Sequence, residues 1–131
     1  MASSRVAYVD ASALVKLVLE EPESRALHRH LHGRPLASSE VALVEVTRAS
    51  RRATPDAARR ARQLLQDAFL IEVDRAVLDH AAELASERVR TLDAIHLASA
   101  LSLGPDEFVA YDRRLLEAAA GAGLTVSSPG A

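Results

Sequence analysis

Short apolar runs alternate with longer segments of helical spacing along most of this chain, and this alternation constrains the fold more than any other feature. VAYV at 6–9, FLIEVD at 69–74 and EFVAY at 107–111 are typical of buried strands, and each precedes a helical segment. Shorter strands are expected at 35–38 and 124–127. Strands that alternate with helices form parallel sheets that helices cover on both faces. The sequence therefore predicts an α/β fold, a three-layer α/β/α sandwich with a small, mainly parallel central sheet.

Proline and serine mark the starts of several predicted helices. Pro22 and Pro55 are each expected in the first turn of a helix, where the missing N–H costs nothing. A further helix is predicted over 39–53, with Ser38 or Ser39 as its N-cap.

Length and composition limit the class of protein. The 131 residues suit a single domain over 1–131, with the last residues, from about 127, expected to fray. The absence of cysteine excludes disulfides, thiolate metal sites and a cysteine nucleophile. Because there is no signal-peptide pattern and no apolar run of about 18 residues, we expect a cytoplasmic protein without a membrane span. The net charge of −2 means that nucleic acid would have to bind at a local basic patch.

Four acids occupy positions that are unusual for surface residues. Asp10 and Asp112 directly follow predicted strands, at the end of a parallel sheet where ligands bind. Glu45 and Asp93 lie among apolar residues of predicted helices. If all four meet at one edge, each pair about 5 Å apart repels by roughly 3 kcal/mol at an effective dielectric near 20, so the cluster needs protonation or a cation.

Each acid taken singly also has a structural interpretation. Asp10, Asp93 and Asp112 could be helix N-caps, a role that aspartate favours, and Glu45 could pair with Arg48 one turn later. The combination of four favours a metal site instead. Oxygen ligands without cysteine favour Mg²⁺ or Mn²⁺ over zinc. Such a site suits hydrolysis of phosphodiesters without a protein nucleophile.

The histidines are less informative than the acids. His96 lies one turn after Asp93 in RTLDAIHLASA, a stretch at 90–100 that is apolar on nearly every side and is therefore expected to be buried. We expect it to fill the core or to orient an acid rather than to bind a metal directly. His28 and His32 are spaced for one helix face, but no acid is near them in the sequence, so a solvated face is expected.

Four stretches together resemble the signature blocks of the PIN-domain ribonucleases, and most closely those of the VapC toxins of bacterial type II toxin–antitoxin systems. They are VAYVDASALVKL, SSEVALVEVTRA, TLDAIHLASA and FVAYDRRLLEAA, in the family's order over nearly the whole chain. DAIHLA together with YDRRL is the most specific part. The resemblance implies a PIN-like fold and Mg²⁺- or Mn²⁺-dependent endonuclease activity on RNA. It also implies a homodimer and inhibition by a cognate, DNA-binding, VapB-like antitoxin.

The resemblance also assigns roles to individual residues. It places four acids in the family's catalytic, metal-binding quartet: Asp10, Glu45, Asp93 and Asp112. Ser12 matches a small hydroxyl residue that commonly forms hydrogen bonds within the site. Some relatives carry a further acid just after the fourth, whereas Arg113 and Arg114 follow here. A second ion, if the site takes one, is therefore expected to bind only with substrate.

Arginines flank two of these acids. The stretch 47–63 carries six arginines against one aspartate, and Arg113 and Arg114 follow Asp112 directly. The planar guanidinium group suits phosphate. The residues expected to contact RNA are Arg48, Arg52, Arg113 and Arg114. The alternative for the stretch 47–63 is a solvated helical hairpin or a surface that faces the antitoxin.

Two other functions remain open at this point. The chain could be a non-catalytic binding module whose acidic pocket accepts a basic side chain from a partner. It could also be a phospho-acceptor or a phosphatase, but a receiver domain needs a lysine at a late strand end, and the only lysine is Lys16 in the first helix. A dehalogenase-type phosphatase needs an aspartate where Ser12 stands.

Overall fold

A five-stranded parallel sheet forms the centre of the molecule in the computed structural model, which describes residues 5–131. The strands are β1 (Ala7–Val9), β2 (Leu36–Ser39), β3 (Phe69–Ile71), β4 (Glu107–Val109) and β5 (Val126–Ser127). They are arranged in the order β3-β2-β1-β4-β5, and every neighbouring pair is parallel. The α/β prediction with a small parallel sheet is confirmed.

Seven helices connect these strands within the described residues. They are α1 (Ala11–Val18), α2 (Ser24–Leu31), α3 (Val41–Arg51), α4 (Pro55–Asp67), α5 (Arg75–Glu83), α6 (Thr91–Leu103) and α7 (Arg113–Gly121). None of them is long and apolar enough to cross a membrane. Successive strand residues point to opposite faces, so Ala7 and Val9 pack against α1 to α4 while Tyr8 packs against α6 and α7. Two apolar clusters result, one on each face of the sheet.

Aromatic packing is concentrated in the second cluster. Tyr8 of β1 and Phe108 of β4 stack with ring centroids 5.3 Å apart and an interplanar angle of 2°, and neither side chain is exposed. Aliphatic and alanine side chains make up the rest of both clusters. The rings of Tyr8 and Phe108 are therefore the two largest rigid groups at the centre of the sheet.

The first turns of α3 and α2 differ in detail from the sequence-based expectation. Glu40 occupies the N-cap position of α3 and no side chain caps the helix, so the prediction of Ser38 or Ser39 as the N-cap is wrong. Ser39 accepts a hydrogen bond from the Val41 N–H at 3.2 Å, and the Ser38 hydroxyl donates to the Val9 carbonyl at 2.6 Å. Pro22 lies in the turn before α2 and not in its first turn, since the buried Ser24 hydroxyl holds that turn by donating to the Leu19 carbonyl at 3.0 Å.

The end of the chain lies against the sheet. The Ser128 hydroxyl donates to the Ala110 carbonyl and the Tyr111 hydroxyl donates to the Pro129 carbonyl, both at 2.7 Å. Ser127 itself belongs to β5. These contacts differ from the frayed tail expected from the sequence, because a polar segment that looks solvated in isolation finds hydrogen-bond partners on β4 and the residues after it. The extent of the single domain over 1–131 stays a prediction.

Candidate active site

The carboxyl ends of the strands lie at one edge of the sheet because all five are parallel. Asp10 follows β1 directly, and Asp112 follows the neighbouring strand β4 after two further residues. Glu45 lies in α3, which begins just after β2 on the other side of β1. The topology therefore brings three acids to the same edge of the sheet, although the first and the last of them are 102 positions apart in the sequence.

Asp10 is buried, with 4% of its surface exposed, and it caps α1. Its Oδ1 accepts a hydrogen bond from the Ala13 N–H at 3.0 Å, and the Ser12 hydroxyl lies 3.0 Å from Oδ1 and 3.1 Å from Oδ2. Burial raises the pKa of Asp10 to about 6, against the lowering effects of Ala13, His96 and Ser12, and the charge of Asp93 adds to the rise. The structural interpretation as an N-cap is therefore correct, and it coexists with a carboxylate that is costly to ionise.

Asp93 is the third residue of α6, which begins at Thr91, so its interpretation as an N-cap is wrong; Arg90 takes that position. Burial raises the pKa of Asp93, and the charges of Asp112 and Glu45 raise it further, while His96 and Arg90 lower it. Asp93 is therefore close enough to Asp112 and to Glu45 for each of them to repel it. A cation placed among them would relieve both the burial and the repulsion.

Glu45 forms a hydrogen bond with a histidine and no ion pair with Arg48. The Nε2 atom of His96 lies 2.8 Å from the Glu45 Oε1, and the Nδ1 atom of His96 lies 2.7 Å from the Tyr8 hydroxyl. His96 is 1% exposed, in the middle of the apolar helix α6. The expectation that His96 orients an acid agrees with this contact.

Tyr8 and Arg90 were not among the residues selected from the sequence. Burial raises the pKa of Tyr8 well above 10, and the charges of Asp10 and Glu45 act in the same direction, while the Ser38 and Ser99 hydroxyls lower it. The available signal was the tyrosine in the buried run VAYV, because a buried tyrosine hydroxyl needs a hydrogen-bond partner. Nothing in the sequence pattern distinguished Arg90 from the other arginines.

Asp112 caps α7, as its structural interpretation predicted. Its Oδ1 accepts a hydrogen bond from the Leu115 N–H at 3.1 Å, and the residue as a whole is exposed. Like Asp10, it is held by the first turn of the helix that follows its strand. Both strand-end acids are thus fixed in place by ordinary helix capping.

Asp93 interacts electrostatically with each of the other three acids, but the four side chains do not form a ready-made metal site. Within residues 5–131, no group of three or more aspartate, glutamate or histidine side chains is close enough to hold an ion. The donor set nevertheless consists entirely of carboxylates, which are the ligands that Mg²⁺ and Mn²⁺ prefer. The raised pKa values of Asp10 and Asp93 also fit a site that a cation would stabilise.

Three of the four predicted RNA-binding arginines line cavities, which lie at two different places. Arg48 and Arg52, together with Arg51, line a cavity of about 300 Å³ at the end of α3. Arg113 and Arg114 are exposed at the start of α7, and Arg114 lines a cavity of about 200 Å³ with Arg88, Glu117 and their neighbours. Positive charge therefore lies on two helices that also carry site acids or follow one directly.

Comparison with known proteins identifies the family of the chain. Residues 7–121 match the PIN domain. The chain is 45% identical over 125 residues to ribonuclease VapC46 of Mycobacterium tuberculosis, covering 93% of this chain and 96% of the relative. It is 36% identical over 132 residues to ribonuclease VapC47 of the same species, covering 95% and 97%.

Solved structures agree with this assignment at the level of the fold. The crystal structure of Mycobacterium tuberculosis VapC20, a toxin that cleaves the sarcin–ricin loop, has a TM-score of 0.75 at 20% identity, covering 94% of this chain and 99% of that one. A toxin–antitoxin complex from Klebsiella pneumoniae has a TM-score of 0.71 at 19% identity, covering 94% and 97%. The chain therefore belongs to the PIN-domain family and, within it, to the VapC family of ribonuclease toxins.

Proposed function

We propose that this chain is a metal-dependent endoribonuclease toxin that hydrolyses RNA phosphodiesters at the carboxyl edge of its sheet. The observation that carries the proposal is that Asp93 lies close enough to Asp112 and Glu45 for both charges to raise its pKa, beside the buried Asp10, whose pKa burial raises to about 6. The names of its relatives, ribonucleases VapC46 and VapC47, support RNA as the substrate. A cytoplasmic location stays a prediction that accompanies this function.

The residues that would hold Mg²⁺ or Mn²⁺ are Asp10, Glu45, Asp93 and Asp112. A bound divalent ion would activate water and stabilise the charge that develops on the phosphodiester. Ser12 orients the Asp10 carboxylate through its hydrogen bonds, and the first turn of α1 fixes one of the two oxygens. The N-terminus of α6 adds a favourable dipole near Asp93.

The arginines at the end of α3 are proposed to bind the RNA backbone. Arg48 lies three residues after Glu45 and Arg52 seven residues after it, so both lie near the same side of the helix at increasing distance from the acids. Arg113 and Arg114 are proposed to contact phosphate from the side of Asp112. A strand of RNA would then run past the acids between two positively charged helices.

The arginine proposal predicts a loss of binding that depends on salt. Replacing both Arg48 and Arg52 by Gln should weaken RNA binding. A plot of the logarithm of the binding constant against the logarithm of the salt concentration should also become less steep, by the amount expected for the loss of roughly two phosphate contacts. The matched control is Arg29→Gln, an exposed arginine in the last turn of α2. If Arg29→Gln weakens RNA binding equally, Arg48 and Arg52 do not form a specific binding site for the RNA backbone.

A VapB-like antitoxin and a homodimer complete the proposal. Toxin–antitoxin complexes occur among the solved structures of the same fold, including those from Klebsiella pneumoniae and Rickettsia felis. Leu43 and Val44, which precede Glu45, and Leu92, which precedes Asp93, are exposed apolar side chains close in sequence to the acids. A partner that covers them would also cover the site, and α2 and the α3–α4 hairpin are further candidate contacts. Sedimentation of the purified chain tests the dimer.

The decisive experiment is cleavage of a defined RNA by the partner-free chain with Mg²⁺, with Mn²⁺ and with a chelator. Asp10→Asn keeps a side chain that caps helices but removes a ligand. It should lower cleavage by more than about 100-fold, since even losing a partner of a metal ligand costs roughly 10- to 100-fold. The control is Asp74→Asn, which alters the exposed N-cap of α5. Cleavage by Asp10→Asn at the wild-type rate would refute the proposal. Absence of cleavage by the partner-free wild-type chain with either ion would favour the non-catalytic binding module.

A further inference from the structure

A chain of hydrogen bonds runs from the centre of the sheet to the candidate site. The Tyr8 hydroxyl lies 2.7 Å from the His96 Nδ1, and the His96 Nε2 lies 2.8 Å from the Glu45 Oε1. Tyr8 is fully buried and His96 is 1% exposed, whereas the Glu45 side chain is 26% exposed. Two buried groups therefore hold one carboxylate that reaches towards solvent.

The two buried members of this hydrogen-bonded series, Tyr8 and His96, are rigid because packing fixes both rings. Tyr8 stacks on Phe108 with centroids 5.3 Å apart, and it meets the His96 ring edge-on at 5.9 Å and 78°. His96 lies in the middle of α6, among residues that are themselves buried. Neither ring can turn without displacing the core.

The direction of the hydrogen bonds follows from the chemistry of the three groups. A carboxylate only accepts hydrogen bonds, so the His96 Nε2 must carry the proton that faces Glu45. In the neutral ring the Nδ1 then accepts, and the Tyr8 hydroxyl is its donor. The opposite tautomer would place the Nε2 lone pair against the carboxylate. The Glu45 carboxylate thus selects the tautomer, and the Tyr8 hydroxyl stabilises it by donating to the His96 Nδ1.

We propose that His96, oriented by Tyr8, is a positioning residue that fixes the Glu45 carboxylate and leaves Oε2 for the ion of the active site. This inference rests on the proposed function, since it takes Glu45 as a metal ligand. Groups that hydrogen-bond to a metal ligand fix its orientation, and their loss typically weakens metal binding by about 10- to 100-fold.

A variant that removes both buried polar groups separates positioning from folding. Replacing Tyr8 by Phe and His96 by Leu together leaves no unpaired polar atom between them, so the core is expected to keep most of its stability. Titration calorimetry with Mn²⁺ should show binding weakened by about 10-fold or more. The single variant His96→Gln keeps an N–H near the position of Nε2 and should restore affinity to within about threefold of the wild type.

Ser50→Ala is the matched control for a purely structural change in α3. Ser50 is buried, and its hydroxyl donates to the Val46 carbonyl at 2.7 Å within the same helix that carries Glu45. This variant should lower the melting temperature without changing Mn²⁺ affinity. If the Phe/Leu double variant binds Mn²⁺ as tightly as the wild type, the positioning role is overturned.

The position of the proton gives a second test, which needs neither metal nor activity. Two-bond ¹H–¹⁵N correlation spectra of the wild type should show a proton on the His96 Nε2, with His96→Gln used to assign the signal. A ring with its only proton on Nδ1 would overturn the proposal, even if the double variant fails to fold. An Nε2 proton in a chain that cleaves no RNA would retain the His96–Glu45 contact and refute the nuclease function instead.

Discussion

At the scale of single residues, Asp10 shows how one side chain can cap a helix and also be a candidate site residue. Its carboxylate is fixed by the Ala13 N–H and the Ser12 hydroxyl, yet it is almost completely buried. Hydrogen bonds stabilise the charged form, but burial outweighs them, so the pKa of Asp10 rises to about 6. The folded chain therefore binds a proton at Asp10 more tightly than the unfolded chain does.

This difference makes a prediction about stability and pH. Because the folded pKa exceeds the unfolded value of 3.8, Asp10 costs stability progressively as the pH rises from about 4 through about 6, and the full cost remains above that range. At pH 7.5 in a chelator, Asp10→Asn should raise the free energy of unfolding by up to about 3 kcal/mol, since each pKa unit corresponds to about 1.4 kcal/mol. Urea unfolding at pH 7.5 and at pH 4 measures the difference, which should shrink at the lower pH.

The control for this prediction is another aspartate with the same local role. Asp74 caps α5 by accepting from the Val77 N–H at 2.9 Å, but it is exposed. Asp74→Asn should change stability by less than about 0.5 kcal/mol at either pH, as expected for a surface substitution that keeps a capping side chain. A gain at Asp74 equal to that at Asp10 would show that burial of Asp10 is not the cause.

At the scale of the elements, α6 needs a sharp end because β4 begins a few residues after it. Gly104 ends the helix with φ 69°, a left-handed conformation, and its N–H bonds to the Ala100 carbonyl at 2.9 Å. No atom lies within 4 Å of an added Cβ there, so backbone strain alone decides the cost of a side chain. Gly104→Ala should therefore destabilise the fold by about 1 kcal/mol or somewhat more.

Gly121 also lies at the end of a helix, but there we expect an alanine substitution to have the opposite effect on stability. It ends α7 without a positive φ, and an added Cβ meets nothing within 4 Å. Gly121→Ala should be neutral or stabilising by roughly 0.4–1 kcal/mol, because alanine restricts the unfolded chain. Thermal unfolding of the two variants tests the pair, and equal effects would contradict the role assigned to the left-handed turn.

At the scale of the whole molecule, a buried ionic cluster stabilises the edge of the sheet that lies opposite the candidate site. Glu107, the first residue of β4, lies 2.8 Å from the His30 Nε2 and 2.7 Å from the Arg34 Nη1, and it accepts from the Ser127 hydroxyl. Burial alone would raise the pKa of Glu107, but the hydrogen bonds from Ser127, His30 and Arg34 lower it. The cluster joins α2, the segment before β2, and the strands β4 and β5.

Removing the charge of Glu107 should destabilise the whole fold. Glu107→Gln leaves the largely buried Arg34 without its carboxylate, and breaking a buried pair costs about 3–5 kcal/mol. Because the folded pKa of Glu107 lies below its usual 4.5, this stabilisation is present above pH 4.5 and is lost as the pH falls through the folded pKa. Urea unfolding at pH 7.5 measures the loss against Glu72→Gln, an exposed control. Equal losses in the two variants would contradict a structural role for the cluster.

The sequence by itself determined the order of the elements and supplied four acids as candidate site residues. Alternating apolar runs and helical segments are local patterns, so the parallel sheet and most helices could be read from them. The PIN-domain and VapC assignment from four short stretches is confirmed by relatives that match nearly the whole chain. Capping by Asp10 and Asp112 was also readable, because a cap depends only on the residues of the following turn.

Only the tertiary structure decided which side chains hold the acids in place. The start of α6 at Thr91 made Asp93 a helical residue instead of a cap, and no local pattern fixes a helix start to within two residues. The contact between Glu45 and His96 joins residues 51 positions apart, and that between Tyr8 and His96 joins residues 88 apart. Such partners depend on which faces of the sheet and helices pack together, and a linear sequence does not show that packing.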